Sequence, residues 1–525
     1  MIEHFPFYLS LIVVIVLLIM LADKLKVAYP VLLVVTGLLL SLLPGMPTLH
    51  IQPEFIFIIF LPPLLYDAAF AMSWKELWRW RRIVTSFAFI VVFFTALSVA
   101  LIADWLLPGF SLALGFLLGG IVSPPDAISA SAILKFVKVP RRMSSILEGE
   151  SLLNDASSLI IFRFALIAVT TGHFVWQEAA LSFGWMVFGG VLIGCLVGWL
   201  FMKAHKYLPT DANMDIALTL VTPYVMYMAA EEVHSSGVLA VVSGGLLLSS
   251  RRHHFLSSSS RLRGLNVWQS MVFLLNGWVF LLIGLDLPEI NEGLHQEGTA
   301  LPVAIGYGLL ITAVLILVRT LASYGAVIVS QVAGRYIEVA DRNPGWKAPI
   351  LLSWSGMRGV VSLAAALSIP LEMSPGVPFP HRNLILFITF VVILVTLLLQ
   401  GLTLPWLIRK VNLPDFNDYL PEDETERLLK KGMHEHTLQY FKANYGGQLV
   451  SNGILRQKVA FWEQKSNPEP EEILSEETKK IYLDILEQQR EWLRNKNKTD
   501  AKVDEEIIRK FLYGIDLEEE KLKYT

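Results

Sequence analysis

Two stretches decide the fold: GGIVSPPDAISASAIL at 119–134 and LLSWSGMRGVVSLAAAL at 351–367. Both are apolar enough for a membrane interior, and both interrupt themselves. Pro124-Pro125 removes two backbone donors and clashes with helical geometry, so the helix is expected to break there. The freed carbonyls near Ser123 would face a cavity, because hydrocarbon cannot satisfy them. In the second stretch Ser353, Ser355, Gly356, Gly359 and Ser362 surround Arg358 and weaken the helix in the same way. Working outward, these are the fifth and twelfth of thirteen apolar segments. An odd offset makes them cross in opposite directions, the arrangement of an inverted-topology repeat with its site where two broken helices cross.

The thirteen segments lie at 5–22, 28–43, 53–72, 83–106, 110–134, 144–171, 179–201, 214–231, 237–250, 267–287, 301–330, 348–371 and 383–407. A crossing takes about 20 apolar helical residues. The chain of 525 residues is 54% hydrophobic and 17% charged, with mean hydropathy +0.54. A water-soluble globular fold is therefore excluded in favour of an all-α polytopic membrane protein. Every second loop is basic: Lys24 and Lys26, then Lys75, Arg79, Arg81 and Arg82, then Lys135, Lys138, Arg141 and Arg142. Lys203 and Lys206 follow, then Arg251, Arg252, Arg261 and Arg263, then Arg335, Arg342 and Lys347, whereas the intervening loops hold only Arg382. Basic residues accumulate in short cytoplasmic loops. This predicts thirteen spans with the N-terminus outside and the C-terminal tail cytoplasmic. Residues 1–410 carry net charge +3 and residues 411–525 carry −6, which separates a membrane domain from a soluble tail. The start, MIEHFPFYLS, has Glu3 and no Lys or Arg, so the first segment is expected to stay as a span. The lone Cys195 excludes a disulfide framework and a Cys-based metal cluster and reads as a small buried hydrophobe.

A charge at mid-bilayer costs about 3 kcal/mol unless paired or solvated, and by default marks a pathway. Seven stand out: Asp67, Asp126, Glu150, Asp155, Arg163, Arg319 and Arg358. In ILEGESLLNDASSLIIFRF (146–164) Ser151, Asn154 and Asp155 fall at i, i+3 and i+4 and share a helix face. Their oxygens, without thiolate or imidazole, suit a hard cation such as Na⁺, K⁺ or Li⁺. The alternative for Asp155 is a structural carboxylate satisfied by Arg163. Glu150 is expected to pair with Arg358, each neutralising the other. Asp67, in FLPPLLYDAAF, is either a further carboxylate from the third span or a residue near its cytoplasmic end. Asp126 follows the Pro-Pro break at the positive end of the next half-helix, where it caps that half-helix, binds the cation, or does both.

At these residues the sequence resembles the NHE/NhaP branch of the monovalent cation:proton antiporters. The matching strings are FLPPLLYDA (60–68), VPRRMSSILEGESLLNDA (139–156) and GMRGVVSLA (356–364), with thirteen spans in the family's order. The resemblance implies a homodimeric exchanger with a mobile six-helix core in which the fifth and twelfth spans cross. It implies that Asp155 carries ion and proton, with Asn154 beside it and Ser151 and Asp67 as further Na⁺ ligands, and that Glu150 and Arg358 form a structural ion pair. The family usually has Asp followed by Pro in the fifth span; here Asp126 is preceded by Pro125 and followed by Ala127, which bears on the ligand set at Ser123 and Asp126.

The expected activity is exchange of Na⁺, or of Li⁺ or K⁺, for H⁺ at the plasma membrane, serving pH and sodium homeostasis, with no cofactor. If cation and proton compete for Asp155, and the core reorients only when it is occupied, the two move in opposite directions. Asn154 in place of a second acid predicts electroneutral exchange; the alternatives are potassium-preferring or electrogenic exchange. No repeated filter-like string suggests a channel, and no phosphate loop suggests ATP-driven pumping. An intramembrane aspartyl protease would also use two carboxylates. Its Gly-x-Gly-Asp signature is absent, IGLDLP (283–288) being the nearest approach. The tail, 411–525, reads as helical at ERLLKKGMHEHTLQYF (426–441) and ILSEETKKIYLDILEQQREWLRNK (473–496), with a turn-rich break at SNPEPEE (466–472) and a regulatory role. Leu483, Leu486 and Trp492 form its expected apolar stripe, and His434 and His436 are either pH sensors or solvated surface groups.

Overall fold

The computed structural model describes residues 5–43, 53–134, 137, 139–172, 176–333, 335, 345–374, 376–413, 422–445, 457, 459–460, 463, 476–499 and 505–522. Lys135, Lys138, Arg342 and the SNPEPEE break lie outside them. The chain divides into two compact units, Met1–Asp415 and Phe416–Thr525.

Among its described residues the regular structure of the first unit is helical, apart from a small antiparallel hairpin of β1 (Glu372–Ser374) and β2 (Val377–Pro378). It opens with α1 (Phe5–Leu25), α2 (Tyr29–Ser41), α3 (Pro53–Ala71) and α4 (Trp74–Leu106), the last carrying a π-helical turn at Ser86–Val91. The first interrupted segment forms α5 (Leu112–Val122) and α6 (Ala127–Leu134), followed by the long α7 (Arg141–Thr171). Next come α8 (Trp176–Tyr207), α9 (Ala212–Glu232), α10 (Gly237–Phe255), α11 (Ser258–Leu285) and α12 (Leu287–Gln296). After α13 (Leu301–Ala333), the second interrupted segment gives α14 (Ala348–Trp354) and α15 (Val360–Leu367), and α16 (Arg382–Val411) closes the unit with a π-turn at Thr396–Gln400. Among the described residues, seven helices are long and apolar enough to cross a membrane. The protein is an all-α membrane protein.

Local chemistry accounts for most boundaries. Ser111, Asp211, Ser236 and Ser257 each accept a backbone N–H from the first turn of the following helix, which satisfies donors a helix start leaves open. Gly172, in the left-handed region at φ 69°, ends α7. Gly115 and Gly119 let α5 press on Ala100 and Ala96 of α4, where a Cβ would meet backbone. Small residues at such crossings replace the hydrophobic drive that lipid cannot supply.

Two segments read as loops are helical. The basic stretch at 74–85 is the first three turns of α4, and LPEINEGLHQ is α12. Both bury one side against the bundle, a tertiary gain that loop polarity hides.

In the second unit α17 (Glu422–Tyr445), α18 (Glu476–Thr499) and α19 (Glu505–Leu522) follow. Leu486 and Leu493 of α18 pack on Ile515, and Arg490 reaches Asp516 at 2.9 Å and Glu487 at 3.0 Å. The expected stripe is corrected here: Trp492 is 64% exposed and Leu483 is also exposed. Leu493, seven residues after Leu486, returns to the same face, whereas Trp492 at six does not. On α17, His434 is half-buried and His436 exposed.

Candidate functional site

The two breaks meet. Ser123–Asp126 separates α5 from α6, and Ser355–Gly359 separates α14 from α15. The Asp126 N–H donates to the Met357 carbonyl at 2.7 Å, which ties one break to the other. Arg358, 1% exposed, donates from Nε to the Val122 carbonyl at 2.8 Å, from Nη2 to the Ser123 carbonyl at 3.2 Å, and from Nη1 to the Gly356 carbonyl. Two carbonyls at the break, those of Val122 and Ser123, therefore accept from a guanidinium. An arginine offers five N–H groups in a rigid fork, enough to serve orphan carbonyls from both breaks. Its charge also sits at the carbonyl ends of α5 and α14, where the helix dipole favours a cation. The Arg358 N–H donates to Thr396 Oγ1 at 3.2 Å, bringing in the π-turn of α16.

This geometry corrects the expected Glu150–Arg358 pair. Glu150, 1% exposed, takes both guanidinium nitrogens of Arg319, Nη1 to Oε1 at 2.6 Å and Nη2 to Oε2 at 3.0 Å. Arg319 Nε donates onward to the Leu352 carbonyl at 3.3 Å, so one fork joins α7, α13 and α14. Arg358 is occupied by the carbonyls of Val122, Ser123 and Gly356, and the bidentate fork of Arg319 matches the carboxylate. Sequence reading identified Arg319 as a buried charge but gave it no partner.

Arg163 is spoken for as well. Its Nη2 lies 2.5 Å from Glu231 Oε2 at the end of α9, and Glu231 Oε1 accepts the Gly237 N–H at 3.1 Å. The alternative in which Arg163 satisfies Asp155 is thereby removed. Both partners are about a third exposed, so Arg163→Ala should cost only about 1 kcal/mol. That lowers the unfolding midpoint by a few degrees, measured on the purified protein.

What remains on α7 is the face of Ser151, Asn154 and Asp155. Asn154 is fully buried; Nδ2 donates to the Pro125 carbonyl at 3.0 Å while Oδ1 has no hydrogen-bond partner. Asp155 is 7% exposed, and among the described residues its carboxylate has no hydrogen-bond or ion-pair partner. Ser151, one turn earlier, is half-buried. Asp126 accepts from Ser129 Oγ at 2.7 Å and lies against Gly359, where a Cβ would collide with Oδ2. It is close enough to Asp155 for the two to interact electrostatically. Ser123 is buried and gives its carbonyl to Arg358, its Oγ lying 3.5 Å from the Gly120 carbonyl. Asp67 is half-buried on α3 and makes no hydrogen bond to Asp155, Asn154 or Ser151. The crossing thus brings Asp126, Asn154, Asp155 and Ser123 together, and Asp67 stays apart from their hydrogen-bond network.

A buried carboxylate with no counter-charge, next to an amide oxygen with an open acceptor, is costly to maintain. The donor set is oxygen only and fits a dehydrated hard cation or a proton. Polar groups left unsatisfied in a folded interior are where function is expected.

Known proteins bear on this geometry. Residues 10–410 match the family described as sodium/hydrogen exchanger, transmembrane. The sodium, potassium, lithium and rubidium/H(+) antiporter of Bacillus pumilus (strain SAFR-032) is 34% identical over 391 residues, 73% of this chain and 58% of the relative. The protein of the same description from Bacillus subtilis (strain 168) is 35% identical over 387 residues, 72% of this chain and 57% of the relative. The match spans less than two thirds of the length of either relative. The solved structure of the sodium proton antiporter MjNhaP1 from Methanocaldococcus jannaschii at pH 8 superposes with TM-score 0.61 at 20% identity, over 78% of this chain and 99% of that one, a likeness of fold. With the family match covering most of the chain and both broken helices within it, the chain belongs to the sodium/hydrogen exchanger family.

Proposed function

We propose that this chain is a secondary antiporter that exchanges Na⁺, and to a lesser degree Li⁺ or K⁺, for H⁺ by alternating access at Asp155. The observation that carries the reading is the Asp155 carboxylate, buried and without a partner among the described residues, beside the open acceptor of Asn154. A group in that state gains from binding either a cation or a proton, and one carboxylate cannot hold both. Moving it empty and charged through a low-dielectric barrier is unfavourable, so reorientation is confined to occupied states and leak is suppressed. Asn154 adds no second ionisable carrier at this pair, and exchange is electroneutral. In this reading the thirteen apolar segments are all crossings, with the N-terminus outside and the tail cytoplasmic. The two breaks belong to inverted repeats, the protein works as a homodimer in the plasma membrane, and residues 411–525 regulate it. Ser151 and Asp67 complete the Na⁺ ligands when the core moves.

Asp126 supports a second reading. A second acid within electrostatic reach of Asp155 would let two carboxylates share the proton traffic and make exchange electrogenic. The four cations in the names of the Bacillus relatives likewise support a broad or potassium-preferring site.

One experiment separates these. Vesicles containing the protein are given an inside-acid pH gradient with the potential clamped, and Na⁺, K⁺ or Li⁺ is added outside. The expected result is collapse of the gradient by Na⁺ most effectively, at a rate independent of the clamped potential. A rate that follows the potential supports the electrogenic reading, strongest collapse by K⁺ supports the potassium-preferring one, and no response to any cation overturns antiport.

A further inference from the structure

The basic stretch WKELWRWRRIVT at 74–85 is absorbed by no part of the exchange mechanism. As the start of α4 it is a two-sided helix. Trp80 and Val84 are buried against Ile146 of α7, with Leu77, Ile83, Leu153 and Leu352 packed around them. Its outer face is Trp74, Trp78, Arg81 and Arg82, all exposed and spaced i, i+4, i+7 and i+8, with Lys75 exposed beside them. The indoles of Trp74 and Trp78 stack 6.0 Å apart at 22°, and the Arg81 guanidinium sits 4.6 Å over the Trp78 ring. The one acid of the stretch, Glu76, accepts from Trp80 Nε1 at 3.1 Å. The exposed residues of the stretch on this face are therefore cationic and aromatic.

We propose that this face is a docking surface for anionic phospholipid headgroups. A helix turned only to water gains nothing by exposing two indoles, Trp74 at 52% and Trp78 at 57%. At a bilayer surface the same indoles occupy the headgroup layer. Each basic residue near an anionic surface adds attraction that salt screens. The helix joins directly to an apolar membrane-spanning run, which holds its outer face at that depth. Its inner face bears on Ile146 and Leu153 of α7, the helix of Asn154 and Asp155, and on Leu352 of α14. A bound headgroup therefore steadies α7, which carries Asn154 and Asp155, and α14, which ends at one of the two breaks. The effect on exchange rate, and the choice of the cytoplasmic leaflet, rest on the function proposed above; the binding does not.

The test is native mass spectrometry of the full-length protein in detergent, titrated with phosphatidylglycerol or with phosphatidylcholine, for wild type, for Arg81→Gln/Arg82→Gln and for Arg81→Lys/Arg82→Lys. The wild type is expected to retain phosphatidylglycerol about tenfold over phosphatidylcholine. The Gln pair should bring the ratio near one, and the Lys pair should keep most of it. Equal retention of the two lipids by wild type, or a preference unchanged in the Gln pair, overturns the proposal. In vesicles with and without phosphatidylglycerol, the lipid should speed exchange severalfold in wild type and not in the Gln pair. A lipid preference that persists while no vesicle exchanges any cation refutes antiport and leaves the docking surface standing.

Discussion

Asp155→Asn abolishes cation-driven proton movement, a loss of at least about 100-fold, equivalent to roughly 3 kcal/mol of lost binding. The substitution keeps the shape of the side chain and removes both its charge and its proton. No described partner loses an ion pair, so the fold does not suffer: the unfolding midpoint stays level or rises, because a buried unpaired charge has been neutralised. This combination of silent transport with undiminished stability distinguishes a working carboxylate from a structural one. It is read by a pH-sensitive dye inside vesicles and by thermal unfolding of the same preparation. Exchange that survives the substitution would place the carrier elsewhere, with Asp126 as the next residue to change.

Breaking the Glu150–Arg319 pair destabilises the membrane unit by about 3–5 kcal/mol, because removing one partner strands the other charge at 1–3% exposure. Glu150→Gln and Arg319→Met should each show it, and the double variant should recover most of the loss, since replacing both charges together leaves neither uncompensated. Glu150→Gln combined with Arg358→Met should show far weaker coupling. Arg358 contributes by satisfying the carbonyls of Val122, Ser123 and Gly356, and that loss is separate from the fate of Glu150. A double-mutant cycle on thermal unfolding decides between the partners. Strong coupling between positions 150 and 358, with none between 150 and 319, would restore the pair that spacing alone suggests.

Much of the fold was legible because membrane helices obey local rules. Hydropathy marks the helices, Pro124-Pro125 and the Gly- and Ser-rich run around Arg358 mark the breaks, and the helices stop at 122 and 354 where those residues begin. The shared face of Ser151, Asn154 and Asp155 on α7 was legible for a similar reason, since i, i+3 and i+4 follow from helix geometry once the helix is granted. The stretch at 74–85 was misread because its charges resemble a loop; only burial of Trp80 and Val84 on α7 explains why it is helical.

Partner choice was not legible. Glu150 meets Arg319 across 169 residues of chain, Arg358 meets the Val122 carbonyl across 236, and Arg163 meets Glu231 across 68. The sequence by itself determined most of the helices, the two places where they break and the burial of Glu150, Asp155, Arg319 and Arg358, because these follow from side-chain hydropathy and from the missing N–H of proline. Which buried charge answers which was decided only by the tertiary structure. A long guanidinium takes whatever acceptors the packed helices bring within about 3 Å, and the carbonyls opened at one break captured the arginine of the other. Asp155 has no counter-charge among the described residues.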